Sequence, residues 1–110
     1  MKLPNGDRAM IDPRKVIDYC LSPDHDDGKH KARVFEEVLG LTQANVQPLF
    51  DALKMAAAGG EAAEGRQDKY GQRYVLDFEF NGPIGAAIIR SAWIIRVGED
   101  DPRLVTCYIL

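Results

Sequence analysis

Two periodicities divide the chain. Up to about residue 57 apolar residues recur at helical spacing, and beyond about residue 70 they alternate with polar ones. Asp12 followed by Pro13 marks a helix start: a capping carboxylate, then a proline at the first helical position, where its missing N–H costs nothing. Val16, Ile17, Cys20 and Leu21 share one face of this helix, which runs from Pro13 to about Leu21 before Ser22-Pro23 closes it. A second helix begins near Gly28 or Lys29, with Asp27 placed to cap it; its apolar stripe is Val34, Phe35, Val38 and Leu39, and Gly40 ends it. The third carries Val46, Leu49, Phe50 and Leu53 behind a cap at Thr42 or Asn45. Asn45 suits better, because it leaves Pro48 in the first turn, where proline is tolerated. Ahead of all three, Ala9-Met10-Ile11 reads as a brief extended lead-in.

In the second half the period becomes two. Tyr74, Leu76, Phe78 and Phe80 point one way while Arg73, Val75, Asp77 and Glu79 point the other, as in a half-buried antiparallel strand, and Asn81-Gly82-Pro83 turns the chain. The next strand spans about Ala86 to Val97. Its Ala87, Ile89, Ser91, Trp93 and Ile95 face should meet the helices; Ile88, Arg90, Ala92, Ile94 and Arg96 form the other. The last strand alternates Val105, Cys107 and Ile109 with Leu104, Thr106 and Tyr108. Between the halves, 58–69 is small, polar and glycine-rich, the composition of a flexible surface loop. Helices followed by a meander of strands predict a single α+β domain over 1–110: two to three N-terminal helices (about 12–57) packed on one face of a small, mostly antiparallel sheet (about 70–110).

Composition changes this picture little. A 110-residue chain with 45% hydrophobic and 28% charged residues can bury a core without a disulfide or a metal, and no apolar run approaches the roughly 20 residues that span a bilayer. The start, Met1-Lys2-Leu3-Pro4-Asn5, lacks the apolar core of a secretory signal, so the expected location is the cytoplasm, or else the chain is the C-terminal effector part of an exported protein. A formal charge of −3 argues against non-specific nucleic-acid binding, DNA included, but leaves room for a local basic cleft. Cys20 and Cys107 lie in apolar segments without Cys-x-x-Cys spacing and read as core thiols; no cofactor or metal is expected.

The chemistry concentrates between Ser22 and Phe35, where both histidines and several bases occur together. His25 and His30 are suited to proton transfer at neutral pH, with Lys29, Lys31 and Arg33 available to bind phosphate. The same residues also fit a plainer role, Asp24, Asp26 and Asp27 capping a helix and solvated bases balancing them. A second group lies on the strands: Arg90, Thr106 and Tyr108, projecting from faces turned away from the helices. A guanidinium beside a hydroxyl and a phenol suits a phosphodiester, because the fork meets the oxygens on which negative charge builds. Ordinary cross-strand pairing explains these residues too. Asp77 and Glu79 could act as a base or simply form a solvated strand face. Tyr70, Tyr74, Phe78, Phe80 and Trp93 read as core in preference to a base-stacking platform.

The segments Leu3-Pro4-Asn5-Gly6-Asp7-Arg8-Ala9, Ile11-Asp12-Pro13-Arg14-Lys15, Ser22-Pro23-Asp24-His25, Gly28-Lys29-His30-Lys31-Ala32-Arg33-Val34-Phe35, Trp93-Ile94-Ile95 and Pro102-Arg103-Leu104-Val105-Thr106-Cys107-Tyr108 together resemble an uncharacterised bacterial domain family, found alone or at the C-termini of polymorphic toxins. The layout is also similar to the barnase, EndoU, colicin E5/D and RelE group of ribonucleases. That resemblance implies metal-independent RNA cleavage through attack of the 2′-hydroxyl on the adjacent phosphate. His25 or His30 would transfer the proton, Lys31 and Arg90 would stabilise the phosphorane, and Thr106 or Tyr108 would position the phosphate. Lys29 and Arg33 would add substrate contacts. The implied partners are RNA and a cognate antitoxin or immunity protein, with a homodimer an open alternative. The competing reading is a non-catalytic partner-binding module, whose basic loop docks on an acidic protein. An immunity-type protein, which itself binds a toxin, is a third.

Overall fold

A computed structural model describes residues 1–22, 24 and 29–110. His25, Asp26, Asp27 and Gly28 lie outside the described residues, and with them the expected cap of the second helix. Helix α1 (Pro13–Lys15) starts as its sequence requires: the Asp12 carboxylate accepts from the Arg14 N–H and Pro13 takes the first position. It runs on as a π-helical turn, Val16–Cys20, in which the Leu21 N–H donates to the Val16 carbonyl. Helix α2 (Lys29–Val34) likewise continues as a π-helical turn, Phe35–Leu39, closed by Gly40 in the left-handed region at φ 73°. A 3-10 turn, Gln43–Asn45, then leads into α3 (Gln47–Gly59).

Two helical details differ from expectation. The buried stripe on the second helix is Ala32, Phe35 and Leu39, whereas Val34 and Val38 are 38% and 39% exposed. The four apolar positions straddle two faces, and the smaller alanine, not the valines, lies against the core. Thr42 caps the 3-10 turn, its hydroxyl accepting from the Ala44 N–H while Asn45 accepts from the Thr42 N–H, but α3 itself starts after Val46 with no side-chain cap, so neither expected residue caps the third helix. The two candidates are reciprocal partners, and Pro48 falls in the first turn of α3 as expected.

The sheet is a four-stranded antiparallel meander in the order β1 (Ala62–Asp68), β2 (Gly71–Asn81), β3 (Ala86–Arg96), β4 (Arg103–Ile109). β1 replaces the loop expected over 58–69, and α3 extends to Gly59. β1 is an edge strand: only Ala62 is buried, and Ala63 to Gln67 are exposed on both faces, so no alternation marks it. Its stability comes from backbone pairing with β2, and its charged side chains protect the free edge. The opposite edge, β4, is partly covered by Met10, whose N–H and carbonyl bond to Pro102 and Leu104, so the lead-in is a single bridge.

The core lies where the helices meet the expected strand faces. Leu76, Phe80, Ile89 and Trp93 pack with Phe35, Leu39, Leu49 and Leu53, and Tyr74 joins them, leaving Tyr70 exposed. Among the described residues one polar side chain is fully buried there, Ser91; it donates to the Leu76 carbonyl at 2.7 Å and accepts from the Trp93 indole N–H at 2.9 Å. Gly71, which opens β2, has φ 147°, and a Cβ there would stand 2.1 Å from the Ile95 carbonyl oxygen. Gly71→Ala is therefore expected to cost roughly 2 kcal/mol or more, read as a lower urea midpoint with unchanged slope.

A register shift between β3 and β4 matters for function. Ala92 faces Thr106 but Trp93 faces Leu104, so Val105 is an extra residue. The bulge lets both Leu104 and Cys107 turn into the core, which strict alternation forbids. It also places the adjacent Val105 and Thr106 on the lining of one pocket.

Candidate functional site

Four of the expected residues converge beside β4. Lys31, in the first turn and a half of α2, extends its ammonium to Thr106, donating to Oγ1 at 3.2 Å. The same ammonium lies 4.9 Å from the centre of the Tyr19 ring and 5.3 Å from that of Tyr108. Tyr108 pairs across the strands with Arg90. The cluster therefore reads Arg90, Tyr108, Lys31, Thr106, with Tyr19 against the lysine. Thr106 had been expected to face away from the helices. It does pair with Ala92 on the face opposite Cys107, but β4 is an outer strand, and α2 and the π-helical turn reach its hydroxyl there: Lys31 donates to Oγ1 and Cys20 Sγ lies 3.6 Å from it.

Next to this cluster opens a pocket of about 590 Å³, lined by Lys15, Tyr19, Val105 and Thr106, with Asp12, Arg14 and Asp18 at the α1 side. Arg14 is occupied by Asp12. Lys15 and Tyr19 escaped the sequence reading, although both belong to the helix whose Cys20 was placed on the core side.

Arg90 is engaged within the sheet. Its guanidinium donates through Nε and an Nη to both oxygens of Asp77, each at 2.8 Å. The Asp77 hydrogen bonds, followed by attraction to that carboxylate and the adjacent Tyr108 phenol, hold the guanidinium protonated well above its ordinary range. The reciprocal bonds hold the Asp77 carboxyl below the usual carboxylate range. Asp77 thus positions Arg90 and is not placed as a separate base. A depressed folded pKa stabilises the fold above the ordinary value of ~3.9, and this contribution disappears as pH falls through the depressed value. Asp77→Asn should accordingly flatten the loss of stability below about pH 4, read as urea midpoints converging with the wild type toward pH 2.

The remaining expected residues are elsewhere. Lys29, His30 and Arg33 line a larger pocket of about 780 Å³, together with Glu36, Thr42 and Gln43. Lys31 does not line it among the described residues, because successive residues of α2 project to different sides. The structure therefore separates His30 from Lys31, and His25 lies outside the described residues. The cluster beside the smaller pocket is the better candidate, since there two cations, a hydroxyl and two phenols meet. Among the described residues no three His, Cys, Asp or Glu side chains are grouped to hold a metal ion, and no helix is long and apolar enough to cross a membrane.

A family model described as a domain of unknown function, DUF6883, matches residues 2–110. The chain belongs to this family. No curated protein and no solved structure matches the chain. As the DUF6883 match covers helices and sheet alike, both walls of the smaller pocket fall within the one domain.

Proposed function

We propose that this DUF6883 domain is a metal-independent, toxin-like endoribonuclease whose site is the Arg90, Tyr108, Lys31, Thr106 cluster. The observation that carries the reading is the convergence of Lys31 with Thr106 and Tyr108, and of Tyr108 with Arg90. In this reading a phosphate of RNA sits between Lys31 and Arg90, with the Thr106 and Tyr108 hydroxyls orienting its oxygens. The adjacent 2′-hydroxyl attacks phosphorus and the 5′-oxygen departs. The two cations stabilise the charge that builds on the non-bridging oxygens, an effect strongest when the donors are already in place. Tyr108, between the two cations, takes the proton-transfer role; His30 is dropped from it because it lines the other pocket. Lys29 and Arg33 become contacts to a neighbouring stretch of RNA. A cognate neutralising protein covers the cluster in the producing cell.

The bidentate pairing of Arg90 with Asp77 favours a second reading, a partner-binding module in which that ion pair is structural. Induced expression in a bacterial host separates them. Growth arrest with RNA fragmentation, relieved by Lys31→Ala and by Arg90→Ala in folded protein, supports the nuclease. Unaffected growth and intact RNA, with soluble protein present, supports the binding module.

A further inference from the structure

The larger pocket carries chemistry that the cleavage reaction does not use. Its wall on the second helix is a stripe: Lys29, Ala32, Arg33 and Glu36 recur at spacings of three and four and so share one face. The facing wall comes from Leu41, Thr42 and Gln43, and Leu21, just past the first helix, completes the lining. These walls are tied together. Gln43 Nε2 donates to the Ile17 carbonyl at 2.6 Å, joining the 3-10 turn to the first helix, and the Thr42 and Asn45 box holds that turn in shape. A cavity fixed in this way costs a ligand little ordering.

The lining sorts by chemical kind. Lys29, Arg33 and Glu36 are exposed, and among the described residues none of them forms an ion pair. Two cations without a counter-charge favour an anion. Leu21, Ala32 and Leu41 are buried and give the lining an apolar floor. The acceptors are the Glu36 carboxylate and the Gln43 carbonyl oxygen, the Gln43 amide nitrogen being engaged with Ile17. A matching ligand therefore has negative charge at one end, N–H donors at the other and a flat apolar body between. Along the helix the cations come first and the carboxylate last, a rise of about 10 Å from Lys29 to Glu36. That is the span from the phosphate of a nucleotide to the amino group of its base. The volume of about 780 Å³ falls within the roughly 300–1,000 Å³ usual for small-molecule sites.

We propose that this pocket binds a nucleotide with an amino-bearing base. The phosphate lies on Lys29 and Arg33, the base covers Leu21, Ala32 and Leu41, and its amino group donates to Glu36. Inorganic phosphate lacks the apolar body, and an aromatic carboxylate lacks the donors. The same chemistry has two sources, a free nucleotide or one residue of an RNA chain. The RNA source rests on the nuclease reading; the free nucleotide does not.

The test measures binding and not cleavage, so its failure and the failure of the nuclease reading are separate results. The full chain is titrated calorimetrically with cytidine 5′-monophosphate at physiological ionic strength. Binding tighter than about 1 mM is expected, with cytidine and inorganic phosphate each at least about tenfold weaker. Uridine 5′-monophosphate has a carbonyl where cytosine has its amino group and should bind about tenfold more weakly. Glu36→Gln should level the two, since an amide presents both an acceptor and donors. Lys29→Ala combined with Arg33→Ala should weaken the cytidine nucleotide by at least about tenfold and leave cytidine unchanged. All three side chains are exposed, so these variants should melt with the wild type. A 2′-O-methyl oligocytidine, which has no free 2′-hydroxyl, separates the sources. Binding at least about tenfold tighter than the mononucleotide, lost in the same variants, assigns the pocket to an RNA chain, and equal or weaker binding assigns it to the free nucleotide. No binding of the cytidine, adenosine or guanosine monophosphates, or equal affinity for the cytidine and uridine forms, would overturn the proposal. So would binding that the double variant leaves intact, or that only Lys31→Met removes.

Discussion

Lys31→Met is expected to lower RNA cleavage by about 10²–10³-fold, the usual cost of removing one preorganised donor from a developing oxyanion. Methionine keeps much of the unbranched stem and removes the ammonium, so packing against Tyr19 and Tyr108 is largely retained. What is lost is the hydrogen bond to Thr106 and the attraction of the cation for two rings. Those are partly exposed interactions worth about 0.5–1 kcal/mol each. Melting should therefore fall by only a few degrees while turnover collapses. Lys31→Arg should restore part of the rate, since it keeps the charge but has a longer and planar donor. A large loss of stability with proportionate loss of rate would instead mark Lys31 as structural. Single-turnover cleavage and a thermal melt on the same preparations distinguish these outcomes.

Trp93→Ala should have the largest effect on stability. The ring is fully buried at the centre of the sheet face that meets the helices, and its N–H completes the Ser91 to Leu76 chain of hydrogen bonds. Truncation removes most of the side chain and leaves a cavity, for which about 3–5 kcal/mol is typical. A domain of this size holds only about 5–15 kcal/mol in total. Urea unfolding should show a much earlier midpoint, or no folded baseline. Trp93→Phe fills most of the space and takes away only the N–H, so about 1–2 kcal/mol is expected. Similar costs for the two variants would mean that the hydrogen bond, not the volume, dominates at this position.

The architecture was legible wherever one physical pattern governed a segment. Asp12-Pro13 stated the start of the first helix, Gly40 the stop of the second, and the alternation through Tyr74, Leu76 and Phe80 gave the buried face of β2. The edge strand β1 was not legible, because residues exposed on both faces carry no period; pairing with β2 alone makes it a strand. The bulge at Val105 was equally silent in sequence. Its consequence is that Leu104, expected beside Thr106 and Tyr108, joins Cys107 on the core side.

The site was half legible for the same reason. Residue type identified Lys31, Arg90, Thr106 and Tyr108, and the fold brings them together. Proximity in sequence does not carry over to the surface: His30 is the chain neighbour of Lys31 but lines the other pocket. Tyr19 and Lys15 carried no distinguishing signal. Only the packing of the first helix beside β4 places them at the pocket.

The most direct measurement of the central claim uses purified protein, a chelator, and a DNA oligonucleotide containing a single ribonucleotide. The expected result is one cut on the 3′ side of that ribonucleotide, leaving a 2′,3′-cyclic phosphate, absent with an all-deoxy strand and strongly reduced by Lys31→Met. An uncut chimera and uncut cellular RNA with demonstrably folded protein, or cutting that Lys31→Met leaves unchanged, would contradict it.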